Sequence, residues 1–199
     1  MLIKILYIIF AYLCGSIPFS YIVAKMIGKI DIRTVGSGNS GTTNVFRSVG
    51  SVAGIIVFVA DVSKGFIPVH FMTLMNGSFF YFTIVALAVI LGHVFTIFLN
   101  FKGGKGIATG FGVSLALMPL PTLVAFAVFG LIFIFSGYVS LGSICAAISF
   151  PLISYFLKCD AVATIFACTV AILIIYKHKG NIKRLKNGSE NRFRVFKGR

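Results

Sequence analysis

Three polar stretches in this sequence carry residue types that bind anions. The first is Gly36-Ser37-Gly38-Asn39-Ser40-Gly41-Thr42-Thr43-Asn44, running on to Arg47. The second is Phe101-Lys102-Gly103-Gly104-Lys105-Gly106. The third is His178-Lys179-Gly180-Asn181-Ile182-Lys183-Arg184, followed by Gly188 and Glu190. Closely spaced glycines let successive backbone N–H groups turn toward an anion. Ser37 and Asn39 add side-chain donors, and an arginine such as Arg47 grips phosphate with two parallel bonds. Lys102, Gly103, Gly104 and Lys105 form a basic turn just ahead of a helix starting near residue 107, and a helix N-terminus favours an anion. His178, Asn181 and Arg184 recur every three residues and can share a helical face. Taken together the chemistry is phosphate binding. Singly, each stretch also suits a plainer role: a flexible loop, a basic membrane-flanking turn or a solvated tail.

Two better-known phosphate motifs are excluded. Gly36, Gly38 and Gly41 match G-x-G-x-x-G, but a dinucleotide fold needs a preceding strand and a βαβ unit, and here an apolar helical run precedes. Gly104-Lys105 is followed by Gly106, and Leu99 stands where a P-loop needs its first glycine. Nothing therefore supports ATP hydrolysis.

The elements that hold these stretches are membrane helices. The 199 residues are 58% hydrophobic and 11% charged, with net charge +14; a soluble domain carries roughly 25% charge. Mean hydropathy is +1.03. The apolar runs 3–24, 51–75 and 79–99 are long enough to span a bilayer, which takes about 20 residues. Residues 3–24 are longer than a signal-peptide core, lack a small-x-small cleavage site and precede further spans, so they read as a retained helix. Asn76-Gly77-Ser78 separates the second run from the third. Gly106 to Leu157 holds no charged residue, and 161–176 is the last span. If the basic loop 25–47 faces the cytoplasm, Lys102, Lys105 and the basic tail belong there too. The uncharged stretch must then hold an odd number of segments. Pro119, Pro121 and Ser136-Gly137 divide it into 107–118, 121–136 and 139–157. The expectation is an all-α integral membrane protein, one domain over 1–199. It has seven transmembrane helices, some short, with the N-terminus outside and the C-terminus cytoplasmic. Short or interrupted membrane helices often line polar sites. Nine of the 18 Lys and Arg lie in 177–199, the pattern of a cytoplasmic flank near anionic lipid. No soluble fold presents this charge to nucleic acid.

Several residues stand inside apolar sequence. Asp61 and Lys64 are three apart and suit a helical ion pair near the site, since ionisable groups in a span are paired or functional. Ser143 fits a helix–helix contact. His93, after Gly92, reads as a packed, hydrogen-bonded histidine. Cys14, Cys145, Cys159 and Cys168 form no metal or redox spacing and imply no disulfide; they read as small core residues.

In this order, the stretches resemble the bacterial acyl-phosphate:glycerol-3-phosphate acyltransferase family. The resemblance rests on Gly15-Ser16-Ile17-Pro18, the Gly36–Arg47 stretch, Asp61-Val62-Ser63-Lys64-Gly65, Gly92-His93 through Thr109, Ser140-Leu141-Gly142-Ser143, and His178 through Glu190. Thr96 stands where that family usually has proline, and Ser40 where a branched residue is common. The resemblance implies a seven-helix enzyme of phospholipid synthesis in the bacterial inner membrane, with its active site facing the cytoplasm. It moves a fatty acyl group from acyl phosphate to the 1-hydroxyl of glycerol 3-phosphate, giving lysophosphatidic acid and phosphate.

By motif match, Ser37, Arg47, Lys105, Ser143, His178 and Asn181 are the catalytic set. Gly36, Gly38, Asn39, Asn44, Lys102, Gly103, Gly104, Gly188 and Glu190 are the candidate binders of substrate phosphate. The implied partners are glycerol 3-phosphate, acyl phosphate and membrane lipid, with no metal, cofactor, nucleic acid or obligate protein partner. Proton removal falls to the substrate's own phosphate, with His178 as the alternative base. The His-x4-Asp dyad of other acyltransferases is absent, because Met75, Phe98 and Lys183 occupy the Asp position after the three histidines. A transporter of an organic phosphate would use similar cations, but it needs polar groups at both faces, and the outer turns 76–78 and 158–160 offer few. A structural scaffold would not need Ser, Asn, Arg and Lys clustered on one side.

Overall fold

The computed structural model describes residues 1–75 and 77–193. Among the described residues the regular structure is helical. The chain forms two compact units, Met1–Leu117 and a second from Met118 onward. Among the described residues, five helical stretches are long and apolar enough to cross a membrane: Leu2–Ile27, Ser51–Thr73, Phe79–Leu99, Pro119–Ser136 and Val139–Phe156. A sixth is Ala161–Lys177 if the bent pair it makes with Lys179–Lys186 is taken as one span.

In the first unit, the expected single helix over 3–24 is two: α1 (Leu2–Ser16) and α2 (Phe19–Ile27). Pro18 causes the break. It has no N–H and pushes Ile17 out of the helical region, to φ −57 and ψ 116. In sequence this proline belongs to a motif; in the structure it also divides the helix. Next come α3 (Thr42–Ser48), α4 (Ser51–Thr73), α5 (Phe79–Val94), a 3-10 turn (Ile97–Leu99) and α6 (Ile107–Leu117). α3 was not anticipated: at seven residues it shows no readable period. Ser78 caps α5 by accepting from Tyr81 N–H; Asn76 of the expected turn lies outside the described residues.

Glycines let these helices touch backbone to backbone. Gly15 of α1 faces the Val89 carbonyl of α5, and Gly92 of α5 faces the Tyr12 carbonyl of α1. Gly65 of α4 and Gly112 of α6 do the same against Thr109 and Val62. In lipid, where helix association lacks a hydrophobic drive, close small-residue packing takes its place. The loop from Gly28 to Gly41 has its own apolar foot: Ile32 and Val45 are wholly buried among Val23, Ala24, Ala53 and Val57.

The second unit holds α7 (Pro119–Ser136), α8 (Val139–Phe156), α9 (Ala161–Lys177) and α10 (Lys179–Lys186). Asp160 caps α9 by accepting from Ala163 N–H at 2.7 Å. α10 bends 59° from α9 at His178, so His178 stands at the N-terminal cap of α10 while Asn181 and Arg184 lie within it. Large apolar side chains such as Leu120, Leu131, Phe135 and Phe156 are exposed, as lipid-facing residues are. The cysteines are not core residues: Cys14, Cys145 and Cys159 are half-buried and Cys168 is exposed. Of the basic tail, Arg194, Lys197 and Arg199 lie outside the described residues.

Candidate active site

The first unit brings the first two polar stretches into contact. The Ser40 hydroxyl donates to the Lys102 carbonyl at 3.4 Å, and Gly104 packs on the Ser40 carbonyl and the His93 ring. Each loop is braced from within. The Asn44 amide donates to the Ile32 and Val35 carbonyls, both at 3.0 Å, and accepts from Ser37 N–H at 2.9 Å. Asn44 is buried, so the structure gives its amide the work of shaping the loop. Gly36 sits at φ +58 over that amide, where a Cβ would meet Asn44 and Ser48. This leaves Ser37 and Gly38 exposed at the loop's crest, Asn39 half-buried, and Arg47 exposed in the last turn of α3. Lys105 is half-buried between Gly104 and Gly106, directly ahead of α6. Lys102 is exposed, and Gly103 N–H donates to the Val94 carbonyl at 3.1 Å.

Beneath the loops lies a polar floor. Lys64 Nζ is 2.7 Å from Asp61 Oδ1, an ion-pair contact off the line that a hydrogen bond prefers. The same ammonium donates to the Ile17 carbonyl at 2.7 Å, which also accepts from Phe19 N–H at 3.1 Å across the Pro18 break. His93 is buried, with Nδ1 3.1 Å from Thr109 Oγ1 and 3.8 Å from Asp61 Oδ1. Thr96 answers for the missing proline: its hydroxyl donates to the Ser16 carbonyl at 2.6 Å and accepts from Phe98 N–H at 3.2 Å. A proline has neither bond to offer. Outside the membrane, the Arg33 guanidinium holds the Asp31 carboxyl at about 2 through two-pronged hydrogen bonds.

The third stretch is organised by the chain's last described turn. α10 ends in a Schellman motif: Ser189 N–H donates to Arg184 C=O at 2.9 Å, and Gly188 N–H to Leu185 C=O at 3.2 Å, with Gly188 at φ +67. That reversal returns Glu190 to α10. Its Oε1 accepts from Asn181 Nδ2 at 2.6 Å and Ser140 Oγ at 2.8 Å, and its Oε2 from Arg184 Nε at 2.7 Å. Burial pushes this carboxyl up, but the three hydrogen bonds and the guanidinium charge prevail and hold it below the usual range. Gly188 and Glu190 therefore organise α10 and orient Asn181.

His178 Nδ1 lies 2.8 Å from the Ile174 carbonyl. A carbonyl can only accept, so Nδ1 carries the proton and the neutral ring's acceptor is Nε2. Ser143 Oγ donates to Val139 C=O at 2.8 Å, which leaves its oxygen to accept. Two contributors went unrecognised in sequence as polar partners. Ser140 lies one turn before Ser143, and Thr109 opens α6; only their neighbourhood in the motifs marked them.

Comparison with known proteins agrees with these motifs. A family model described as glycerol-3-phosphate acyltransferase matches residues 5–188. A glycerol-3-phosphate acyltransferase of Endomicrobium trichonymphae is 64% identical over 197 residues, covering 99% of each chain. That of Aquifex aeolicus is 44% identical over 187 residues, covering 94% of this chain and 97% of its own. Two crystal structures of PlsY, an integral membrane glycerol 3-phosphate acyltransferase, share the fold. The glycerol 3-phosphate form has TM-score 0.91 at 43% identity, and the lysophosphatidic acid form 0.88 at 42%. Each match covers 96% of this chain and 95% of the other.

Proposed function

Because the chain belongs to the glycerol-3-phosphate acyltransferase family, we propose that its polar loops carry out acyl transfer from acyl phosphate to the 1-hydroxyl of glycerol 3-phosphate. The observation that carries this reading is the contact between two glycine-rich, cationic loops, Ser37–Arg47 and Lys102–Gly106, on a buried polar floor. Such a surface suits doubly charged phosphates.

Arg47 and Lys105 neutralise phosphate. Ser37 and Asn181 orient glycerol phosphate, assisted by the backbone at Gly36, Gly38, Gly103 and Gly104 and by Asn39 and Lys102. His178 presents Nε2 and Ser143 an oxygen as acceptors. The hydroxyl oxygen forms the new ester bond to the acyl carbon. The acyl C–O bond to phosphate breaks, and its electron pair leaves with the phosphate. The hydroxyl proton passes through the glycerol phosphate's own phosphate to the departing one. Phosphate leaves readily, so the protein's work is alignment and charge stabilisation. No cofactor enters this scheme.

The chain is one enzymatic domain of a multi-pass protein in the bacterial inner membrane. Seven segments cross or enter the bilayer, with the 11-residue α6 as the short one. The N-terminus is outside, and the C-terminus and active site face the cytoplasm. The flanking basic residues support that orientation.

The test is a donor assay on purified protein with glycerol 3-phosphate. Acyl phosphate is expected to give lysophosphatidic acid and phosphate, and acyl-CoA to give none. Product from the thioester alone would overturn the donor assignment.

A further inference from the structure

The buried pair Asp61–Lys64 exceeds what packing requires. Asp61 is 1% and Lys64 7% exposed. Desolvating such ions is costly, and an apolar pair of like volume often serves stability as well or better. What charges add is direction.

Asp61 and Lys64 sit on α4, and their contacts reach three other segments. Lys64 holds the Ile17 carbonyl between α1 and α2. Asp61 faces His93 Nδ1 near the end of α5, and that ring atom also meets Thr109 of α6. On the ring's other side, Nε2 lies where a Cβ on Gly104 would have to go, and the His93 carbonyl presses on Gly103. The loop carrying Lys105 is therefore seated on His93 and followed at once by the helix that His93 bonds. Ser40, Asp61, Lys64, His93, Gly103 and Gly104 line one cavity of about 10 Å³, roughly the room one water needs. Little slack remains for the loop to settle elsewhere.

We infer that Asp61, Lys64 and His93 are positioning residues that hold the Lys102–Gly106 loop in the geometry by which Lys105 grips the phosphate of glycerol 3-phosphate. The inference rests on the proposed role of Lys105. The three residues act through the backbone at 103–105 and leave contact with the substrate to the loop itself.

Asp61→Asn combined with Lys64→Met removes both charges and strands neither. The double variant is expected to keep near-parental thermal stability while its KM for glycerol 3-phosphate rises ~10-fold, with kcat falling less. A purely structural pair would change melting temperature and active fraction and leave KM alone. Thr109→Val removes only the hydrogen bond to His93 and is expected to raise the same KM ~3-fold. An unchanged KM in the folded double variant overturns the inference. If the double variant does not accumulate, an unchanged KM in Thr109→Val does so by itself. Lys105→Ala measured alongside separates the two readings. A parental KM there removes the phosphate role of Lys105. A raised KM there with a parental KM in the double variant removes the positioning role alone.

Discussion

Glu190→Ala is expected to lower turnover ~100-fold, the scale of a reacting group displaced by about 1 Å. The reason is what the carboxylate holds. Asn181 Nδ2, Ser140 Oγ and Arg184 Nε all donate to it, and Asn181 and Ser140 are themselves buried. Truncation leaves both donors without their acceptor, at ~1–3 kcal/mol for each buried orphan. Arg184 is partly exposed, so its share is screened and small. Melting temperature should fall together with activity. Glu190→Gln keeps one carbonyl oxygen for Asn181 and should recover part of both.

The pH dependence carries a definite sign. The folded carboxyl titrates below its ordinary value, so its stabilisation is complete above that ordinary value. It is lost as pH falls through the depressed folded value. Acid unfolding of the parent should therefore be steeper than that of Glu190→Gln. Parental turnover in Glu190→Ala, measured with purified protein, would show that Asn181 needs no such anchor.

Gly104→Ala is expected to lower kcat/KM by a similar ~100-fold. A methyl there meets the His93 ring and comes within 2.9 Å of the Ser40 carbonyl. Neither can yield easily, since His93 is buried against Thr109 and Asp61 and the Ser40 oxygen is backbone. Overpacking of this kind costs ~1–3 kcal/mol, and the cheapest relief is to lift the loop that carries Lys105. Gly130→Ala is the control. Apart from its chain neighbours and its own helix backbone, nothing lies within 4 Å of an added Cβ there, so kinetics and stability should stay at parental values. Equal kinetics for Gly104→Ala and the parent would show that the fit of this loop does not matter.

The spans and the polar stretches were readable because they follow from composition and local order. A run of some 20 apolar residues needs no tertiary knowledge, and neither does a Gly-Gly flanked by lysines. The Asp61–Lys64 pair was readable from its spacing on a helix. The division of labour inside the stretches was not. Asn44 and Ser37 were both read as candidates for substrate, yet Asn44 spends its amide on Ile32, Val35 and Ser37. Glu190 was placed among phosphate binders, yet it bonds Ser140, fifty positions away in sequence. Contacts of that range leave no period in a sequence. Nor does spacing register the 59° bend between α9 and α10 at His178. Pro18 breaks the first span, and the Lys64 ammonium that donates to the Ile17 carbonyl there comes from 47 positions away in sequence.

Titration of glycerol 3-phosphate into purified parent, Lys105→Ala and Asn181→Ala proteins by calorimetry tests the central claim most directly. That claim is the proposed binding of glycerol 3-phosphate by Lys105 and by Asn181. Saturable binding by the parent is predicted, with each variant weakened at least ~10-fold, about 1.4 kcal/mol. Parental affinity in both variants would contradict it.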